Sequence, residues 1–376
     1  MAKLSLPELK AYVASVVTVA KVSNGSFVET RDNVVGLIDK IGKIVTIDSV
    51  FAIDKLAEFD GEYLSFGKTI EEWQQDLIMP VAYDSDGSGA LAPHDPTYRP
   101  VFYSYTLGRK VIKTTLRNND IERAVHFEEQ FVSIVAMQTK RLQDSMASYR
   151  YQVKREMLGK FAGLAIDLQS HTGGTAFASI TTSTPVGTNV YVSGSPDKSG
   201  VLVKAWPSSS APANWAAAVA GGYIVEYDLV TPLAIPVDTD TGEAFIEQVK
   251  KDIEAASDLS EGHSLNGNTL GAIEGLVLLF KQGVQPALEV KTYAGAFNRG
   301  DLATPAEVKV IKDFGNASSD IYAILMDRRA MRLHNTYRAT RENMNGDGDF
   351  LNLFDHTEDT AWISRNCFIK VYKIPA

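Results

Sequence analysis

The chain has 376 residues, 45% hydrophobic and 22% charged, so it holds enough apolar material for a large core. Lys plus Arg number 37 against 46 Asp plus Glu, a net charge of -9, which excludes a protein that coats nucleic acid through bulk positive charge. The single cysteine, Cys367, excludes an intrachain disulfide and a cysteine-built metal cage, and fits a reducing compartment.

The first 58 residues read as an N-terminal arm of mixed helix and strand. Ser5 and Glu8 have capping-box spacing, with Pro7 in the first turn, which predicts a helix over 6–21. A second helix fits 32–41, stopped by Gly42, and a short strand fits 44–47. The start carries no secretory signal pattern. The two long uncharged stretches, 168–196 and 205–225, are too polar to span a bilayer, so a membrane partner is not expected.

Residues 59–112 read as a long β-hairpin. Strand-like pieces at 63–66 and 78–83 lead to a tip at 84–100 rich in Gly, Ser, Asp and Pro, and an aromatic, β-branched strand returns over 101–107. Residues 69–75 suggest a helical turn at the hairpin base. The tip holds a partial calcium-loop pattern, with Asp84, Asp86 and Ser88 at the first, third and fifth places, Gly89 at the sixth and Asp95 at the twelfth. Asp replaces the usual Glu, Pro93 interrupts the loop, and strands flank it. A solvated acidic tip is the simpler reading. Asn343 to Asp349 is a second oxygen-rich loop with the same reading.

The strongest helical pattern follows. After a break near 132–136, apolar residues recur at Leu142, Met146, Tyr149, Val153, Met157, Phe161, Leu164 and Leu168, in steps of three and four. A helix over 138–168 would be roughly 45 Å long. Its Arg150, Lys154 and Arg155 lie among further basic residues, with Asp144 and Glu156 interleaved. A solvated or inter-subunit face therefore fits better than a DNA-binding one.

Residues 170–222 carry few charges and read as an inserted, loop-rich β region, with strands at 189–193 and 201–206. Helices are predicted over 243–256 and 269–281. Strands are predicted at 308–311 and 321–326, near Phe354 and over 367–372, with a short segment and turn at 293–301. Helices and strands mix without a regular βαβ alternation, so the fold class is α+β. No nucleotide-binding loop, nucleophile elbow or zinc helix occurs, and the six histidines are scattered. No catalytic residue and no cofactor are expected.

The order of parts (arm, long hairpin, unbroken helix, large mixed domain, terminal strands) resembles the major capsid proteins of tailed bacteriophages, with the Johnson or Hong Kong phage capsid fold. Four segments resemble more narrowly those of small short-tailed phages: Leu37-Ile-Asp-Lys-Ile-Gly-Lys-Ile-Val45, Gly67-Lys-Thr-Ile-Glu-Glu72, Ala296-Phe-Asn-Arg-Gly-Asp-Leu302 and Val308-Lys-Val-Ile-Lys-Asp-Phe-Gly315. The region 170–222 has no counterpart in that resemblance. By matching position, the resemblance implies an extended loop at 59–112, a peripheral domain with its spine helix at 113–168, an axial domain at 169–335 and a return to the peripheral domain at 336–376.

It also implies the function. Copies of the chain would form hexamers and pentamers of an icosahedral or prolate head, a virion shell assembled in the host cytoplasm. Its partners would be other copies of itself, a scaffolding protein, a portal and packaged double-stranded DNA held without sequence-specific contacts. An exposed two-stranded arm is marginal alone, so a neighbouring subunit is the natural cover for Phe102, Tyr103 and Tyr105. Lys68, Glu71 and Glu72 in the arm and Arg150, Lys154 and Arg155 on the helix complete the candidate inter-subunit contacts. Two other readings stand beside this one: an encapsulin-type compartment with enzyme cargo, and a metal-dependent enzyme built on Asp84, Asp86, Ser88 and Asp95.

Overall fold

A computed structural model of the chain describes residues 54–65, 67, 69–75, 83, 85, 98–103, 105–117, 128–194, 197–288, 306–315 and 319–375. The expected elements before residue 54, the piece at 293–301 and nearly all of the hairpin tip lie outside them. In chain order come β1 (Ile70–Gln75), β2 (Tyr98–Tyr103), β3 (Lys110–Arg117), α1 (Glu128–Gln169), β4 (Thr175–Ala176), β5 (Asn189–Val192), β6 (Lys198–Leu202), α2 (Trp215–Ala220), β7 (Ile224–Glu226) and β8 (Val230–Pro232). There follow α3 (Thr239–Ala256), β9 (Leu276–Lys281), α4 (Val284–Leu288), β10 (Glu307–Ile311), β11 (Ile321–Asp327), β12 (Met331–Asn345), β13 (Phe350–Ile363) and β14 (Ile369–Lys373). The mixture is α+β, as expected.

Two compact units share this chain. The first contains residues 1–68, 105–154 and 333–360. Its sheet has the order β12-β13-β3, and β13 pairs antiparallel with β3 from Phe350↔Arg117 to Thr357↔Lys110. Residues 60–64 run beside β12: Asp60 bridges Leu333 in parallel, and the N–H of Leu64 donates to the carbonyl of Asn335 at 2.9 Å. Leu56, Phe59, Leu116, Leu142, Met146, Leu351 and Leu353 are buried in this unit.

The second unit contains residues 69–104, 155–332 and 361–376. A mixed sheet of order β10-β9-β11-β14-β8 forms its centre. Phe245, Ile246 and Val249 of α3 join one core with Leu278, Phe280, Tyr322, Phe368 and Tyr372. The side chains facing away from that core, such as Leu279, Ile324 and Val371, are buried too. Burial on both faces explains why these strands read as continuous apolar runs. A second sheet, β4-β5-β6-β7, has its own core of Val190, Leu202, Trp206, Trp215 and Ile224, with Phe177 edge-on to both tryptophans. The arm is a two-stranded antiparallel ribbon of β1 and β2, from Ile70↔Tyr103 to Gln75↔Tyr98.

Several sequence expectations are corrected. Residues 269–281 do not form a helix: Gly275 takes φ 103° and 276–281 become β9. A short run apolar on every side fits a buried strand and a buried helix equally, and the left-handed Gly275 ends the helical option. Residues 70–75 are a strand, not a helical turn, because pairing with β2 overrides the helical propensity of Glu and Gln. Residues 63–65 lie in no strand. α1, described from Glu128, passes through 132–136 without a break, and its 42 described residues span about 60 Å. The β-branched residues there lower propensity, but an elongating helix tolerates them. Within the supposedly strand-and-loop region, α2 forms behind Asn214, whose side chain accepts the N–H of Ala217 at 2.9 Å. α3 begins at Thr239 because Asp238 and Thr241 form a capping box.

Candidate assembly surfaces

In the arm, Ile70 and Glu72 are half-buried while Glu71 and Trp73 are exposed, the alternation of a ribbon covered on one face. Glu72 accepts a hydrogen bond from the Ser364 hydroxyl. Trp73 is 61% exposed and pairs across the ribbon with Pro100. Proline in this two-stranded ribbon is tolerated because an edge strand has a non-bonded side. Phe102 and Tyr103 lie in β2 opposite Glu71 and Ile70. Tyr105, in the first unit, is 57% exposed. Lys68 lies outside the described residues, as do Asp84, Asp86, Ser88 and Asp95. Among the described residues, no three His, Cys, Asp or Glu side chains are grouped to hold a metal ion, and no helix is long and apolar enough to cross a membrane.

The three candidate contact residues of α1, Arg150, Lys154 and Arg155, have partners inside the chain. Lys154 is fully buried and pairs with Asp54 and, at 3.1 Å, with Asp60. Arg150 reaches Asp60 at 3.2 Å and Asp359 at 3.6 Å, and donates to the carbonyl of Leu333 at 3.1 Å. Together these contacts pin residues 54–60 and the start of β12 onto the helix. Arg155, in the second unit, pairs with Asp313 and donates to its carbonyl at 3.2 Å. Two residues on, Gly315 takes φ 61° against the helix backbone, where a Cβ would stand 2.9 Å from the Cα of Glu156. Lys154 is therefore not on a solvated face, whereas Arg150 and Arg155 keep 25% and 15% of their side chains exposed. Their carboxylate partners stand about a hundred residues or more away in sequence, where no local spacing rule reaches.

Sequence reasoning also missed a groove of about 860 Å³ in the first unit, lined by Lys110 and Ile112 of β3 and by Lys140, Arg141, Asp144 and Tyr149 of α1. The helical spacing of Lys140, Arg141 and Asp144 was visible; their place opposite β3 was not.

The second unit holds a buried polar brace. Lys370, 1% exposed, pairs with Asp228 and approaches Asp252 at 3.8 Å. The Tyr372 hydroxyl donates to Asp252 at 2.6 Å, and His263 Nε2 lies 3.3 Å from Asp228. Burial alone would raise the Asp228 carboxyl, but hydrogen bonds and charge from His263 and Lys370 hold it well below the ordinary range. Burial pushes Asp252 and Tyr372 up. Perturbed groups of this kind also mark active sites. Here Lys370, Asp252 and Tyr372 are enclosed by protein, which fits a brace tying β14 to α3 and the segment before β8.

The comparisons with known proteins agree with this architecture. The family model of Phi29-like phage major capsid proteins matches residues 8–185 and 242–367. No curated protein matches the chain. Among solved structures, the capsid structure of Staphylococcus phage Andhra aligns over 88% of this chain and 87% of that chain at 10% identity, with a TM-score of 0.53. The capsid structure of the cyanophage P-SCSP1u aligns over 85% and 86% at 10% identity, with a TM-score of 0.50. At such identities the likeness is one of fold. The family match omits 186–241, which overlaps the region without a counterpart in the sequence. With the model matching most of its length, the chain belongs to the family of Phi29-like phage major capsid proteins.

Proposed function

We propose that copies of this chain assemble into hexamers and pentamers that close an icosahedral or prolate head around double-stranded DNA. Family membership carries the shell role and the virion location. The observation in the chain that supports repeated self-contact is the ribbon of β1 and β2, a two-stranded element with Trp73 exposed on it. Two strands alone are marginal in water, and a neighbouring copy would both bury the ribbon and continue the lattice. On this reading 59–112 is the extended loop, 113–168 the peripheral domain with its spine helix, 169–335 the axial domain and 336–376 the peripheral return. The arm supplies the contacts through Glu71, Glu72, Phe102 and Tyr103, with Lys68 and Tyr105 at its base. On the helix, Arg150 and Arg155, partly exposed beside their intrachain ion pairs, complete the contact candidates, and the buried Lys154 supports them from inside.

The net charge of -9 suits a wall that encloses DNA without gripping it. Assembly in the host cytoplasm, nucleated with a scaffolding protein and a portal, completes the reading, and no catalytic step is part of it. Electron microscopy of the expressed chain, alone and with its scaffolding partner, should show capsomers or closed particles. A chain that stays monomeric in both preparations would refute the proposal. Nuclease-protected double-stranded DNA inside virion particles is expected; enzyme cargo in its place would point to a nanocompartment.

A further inference from the structure

We propose that Asn345 is a site of spontaneous backbone modification, converting through a succinimide to aspartate and isoaspartate at the tip of the β12–β13 hairpin. The chain contains three Asn-Gly pairs, the dipeptide in which the following amide is least hindered: Asn24–Gly25, Asn266–Gly267 and Asn345–Gly346. The first lies outside the described residues. The other two stand in opposite settings.

Asn345 closes β12, and residues 346–349 turn the chain into β13. The side chain is exposed, and its Oδ1 accepts the backbone N–H groups of Asp347 and Gly348, each at 3.0 Å. These two donors point at the atom that becomes an oxyanion when the side-chain carbonyl is attacked. They polarise Cγ in the ground state and stabilise charge in the tetrahedral intermediate, the logic of an oxyanion hole built from backbone amides. Nothing stands within 4 Å of where a Cβ on Gly346 would be, so the flank of the residue that supplies the attacking nitrogen is open.

Asn266 is held the other way. Its Nδ2 donates to Asn366 Oδ1 at 2.7 Å, and its backbone N–H donates to the carbonyl of Arg365 at 3.1 Å. The nucleophile it would need, the Gly267 N–H, is committed to the carbonyl of Ser264 at 3.0 Å. Gly267 is buried, and the Val201 side chain stands 2.1 Å from its Cβ position. The same dipeptide is therefore set up for reaction at one place and clamped at the other.

The chemistry needs only water. A solvent base removes the Gly346 amide proton, and the nitrogen attacks Asn345 Cγ to form the ring bond. The Cγ–Nδ2 bond breaks and the nitrogen leaves as ammonia, taking a proton from solvent. Water then opens the succinimide at either carbonyl, giving aspartate or isoaspartate. Each conversion adds one negative charge beside Asp347 and Asp349, and the isoaspartate product also lengthens the backbone of the turn by one methylene.

The test is peptide mapping of the unassembled full-length chain, aged at mildly alkaline pH both folded and in denaturant, with isoaspartate read by enzymatic methylation and by the amide-to-acid mass increment. In denaturant both pairs should convert. In the folded chain Asn345 should convert at least as fast as in denaturant, Asn266 should be strongly suppressed, and the Asn345 rate should climb with pH. Gly346→Ala, whose added methyl has free space, should remove most of the conversion at position 345 and leave Asn266 unchanged. Suppression of Asn345 on folding to the same extent as Asn266 would overturn the proposal, and so would undiminished conversion in the alanine variant.

Discussion

Lys154 buries its whole side chain against Asp54 and Asp60, and this placement turns that one positive charge of α1 inward. Removing Lys154 leaves Asp54 without its cation and Asp60 with Arg150 alone; for fully buried pairs such a loss costs about 3–5 kcal/mol. Asp54 and Asp60 keep some contact with solvent, so Lys154→Met should lose about 3 kcal/mol, measured by denaturant unfolding of the full chain. A loss below about 1 kcal/mol would mean that the pairing is offset by the cost of desolvating it. Cys367 offers a second residue-level test. Burial, reinforced by the nearby charges of Asp327 and Glu72, pushes its thiol from 9.0 up to about 11, against a lowering hydrogen bond from Ser364. The reactive species is the thiolate, so at pH 8 alkylation of the native chain should run about a hundredfold slower than that of an unfolded control. The sign for stability follows from the same shift. A folded value above the unfolded one means the contribution is complete below pH 9 and fades as pH climbs through about 11. Thiol titration with a chromogenic disulfide reads both effects on the chain's single cysteine.

At the scale of elements, α1 was legible because its apolar steps persist for many turns, and α3 because Phe245, Ile246 and Val249 repeat on one face. The second buried row of α1 was harder to see. Lys154, Leu158, Ala162 and Ala165 follow one another by four, four and three, yet a lysine heads the row and two alanines close it. Gly163 lies in the same stretch, and nothing stands within 4 Å of where its Cβ would be. Gly163→Ala should therefore stabilise the chain by about 0.5–1 kcal/mol through backbone entropy alone, seen as a higher thermal midpoint. A lower midpoint would show that the methyl meets something in solution. The strand β12 went unread for a different reason. Its outer half, Arg338 to Asn345, is mostly exposed and polar, so no apolar alternation announces a strand. The candidate contact surface divides in the same way. The aromatic strand β2 could be read locally, whereas the acidic partners of Arg150, Lys154 and Arg155 come from distant segments and could not.

For the whole molecule, two cores that share no residue lie in the second unit. The larger joins α3 to the five-stranded sheet. The smaller, around Trp206 and Trp215, draws six of its seven buried residues from 186–241, the stretch outside the family match. A fold whose large sheet is complete without the smaller core should let that core open by itself, since cooperative units follow contiguous packing. Trp215→Ala tests this. It removes a buried indole packed edge-on against Phe177, together with the Nε1 hydrogen bond to Glu226 at 3.1 Å, a loss of about 3–5 kcal/mol. Amide hydrogen exchange should then quicken across β5, β6, α2 and β7, while β9, β11 and β14 retain their protection. Capsomers should still form, because the arm and the large sheet are untouched by the change. Equal acceleration in both sheets would show instead that the region from 186 to 241 is part of one cooperative body with the large sheet, and the same variant should then fail to assemble.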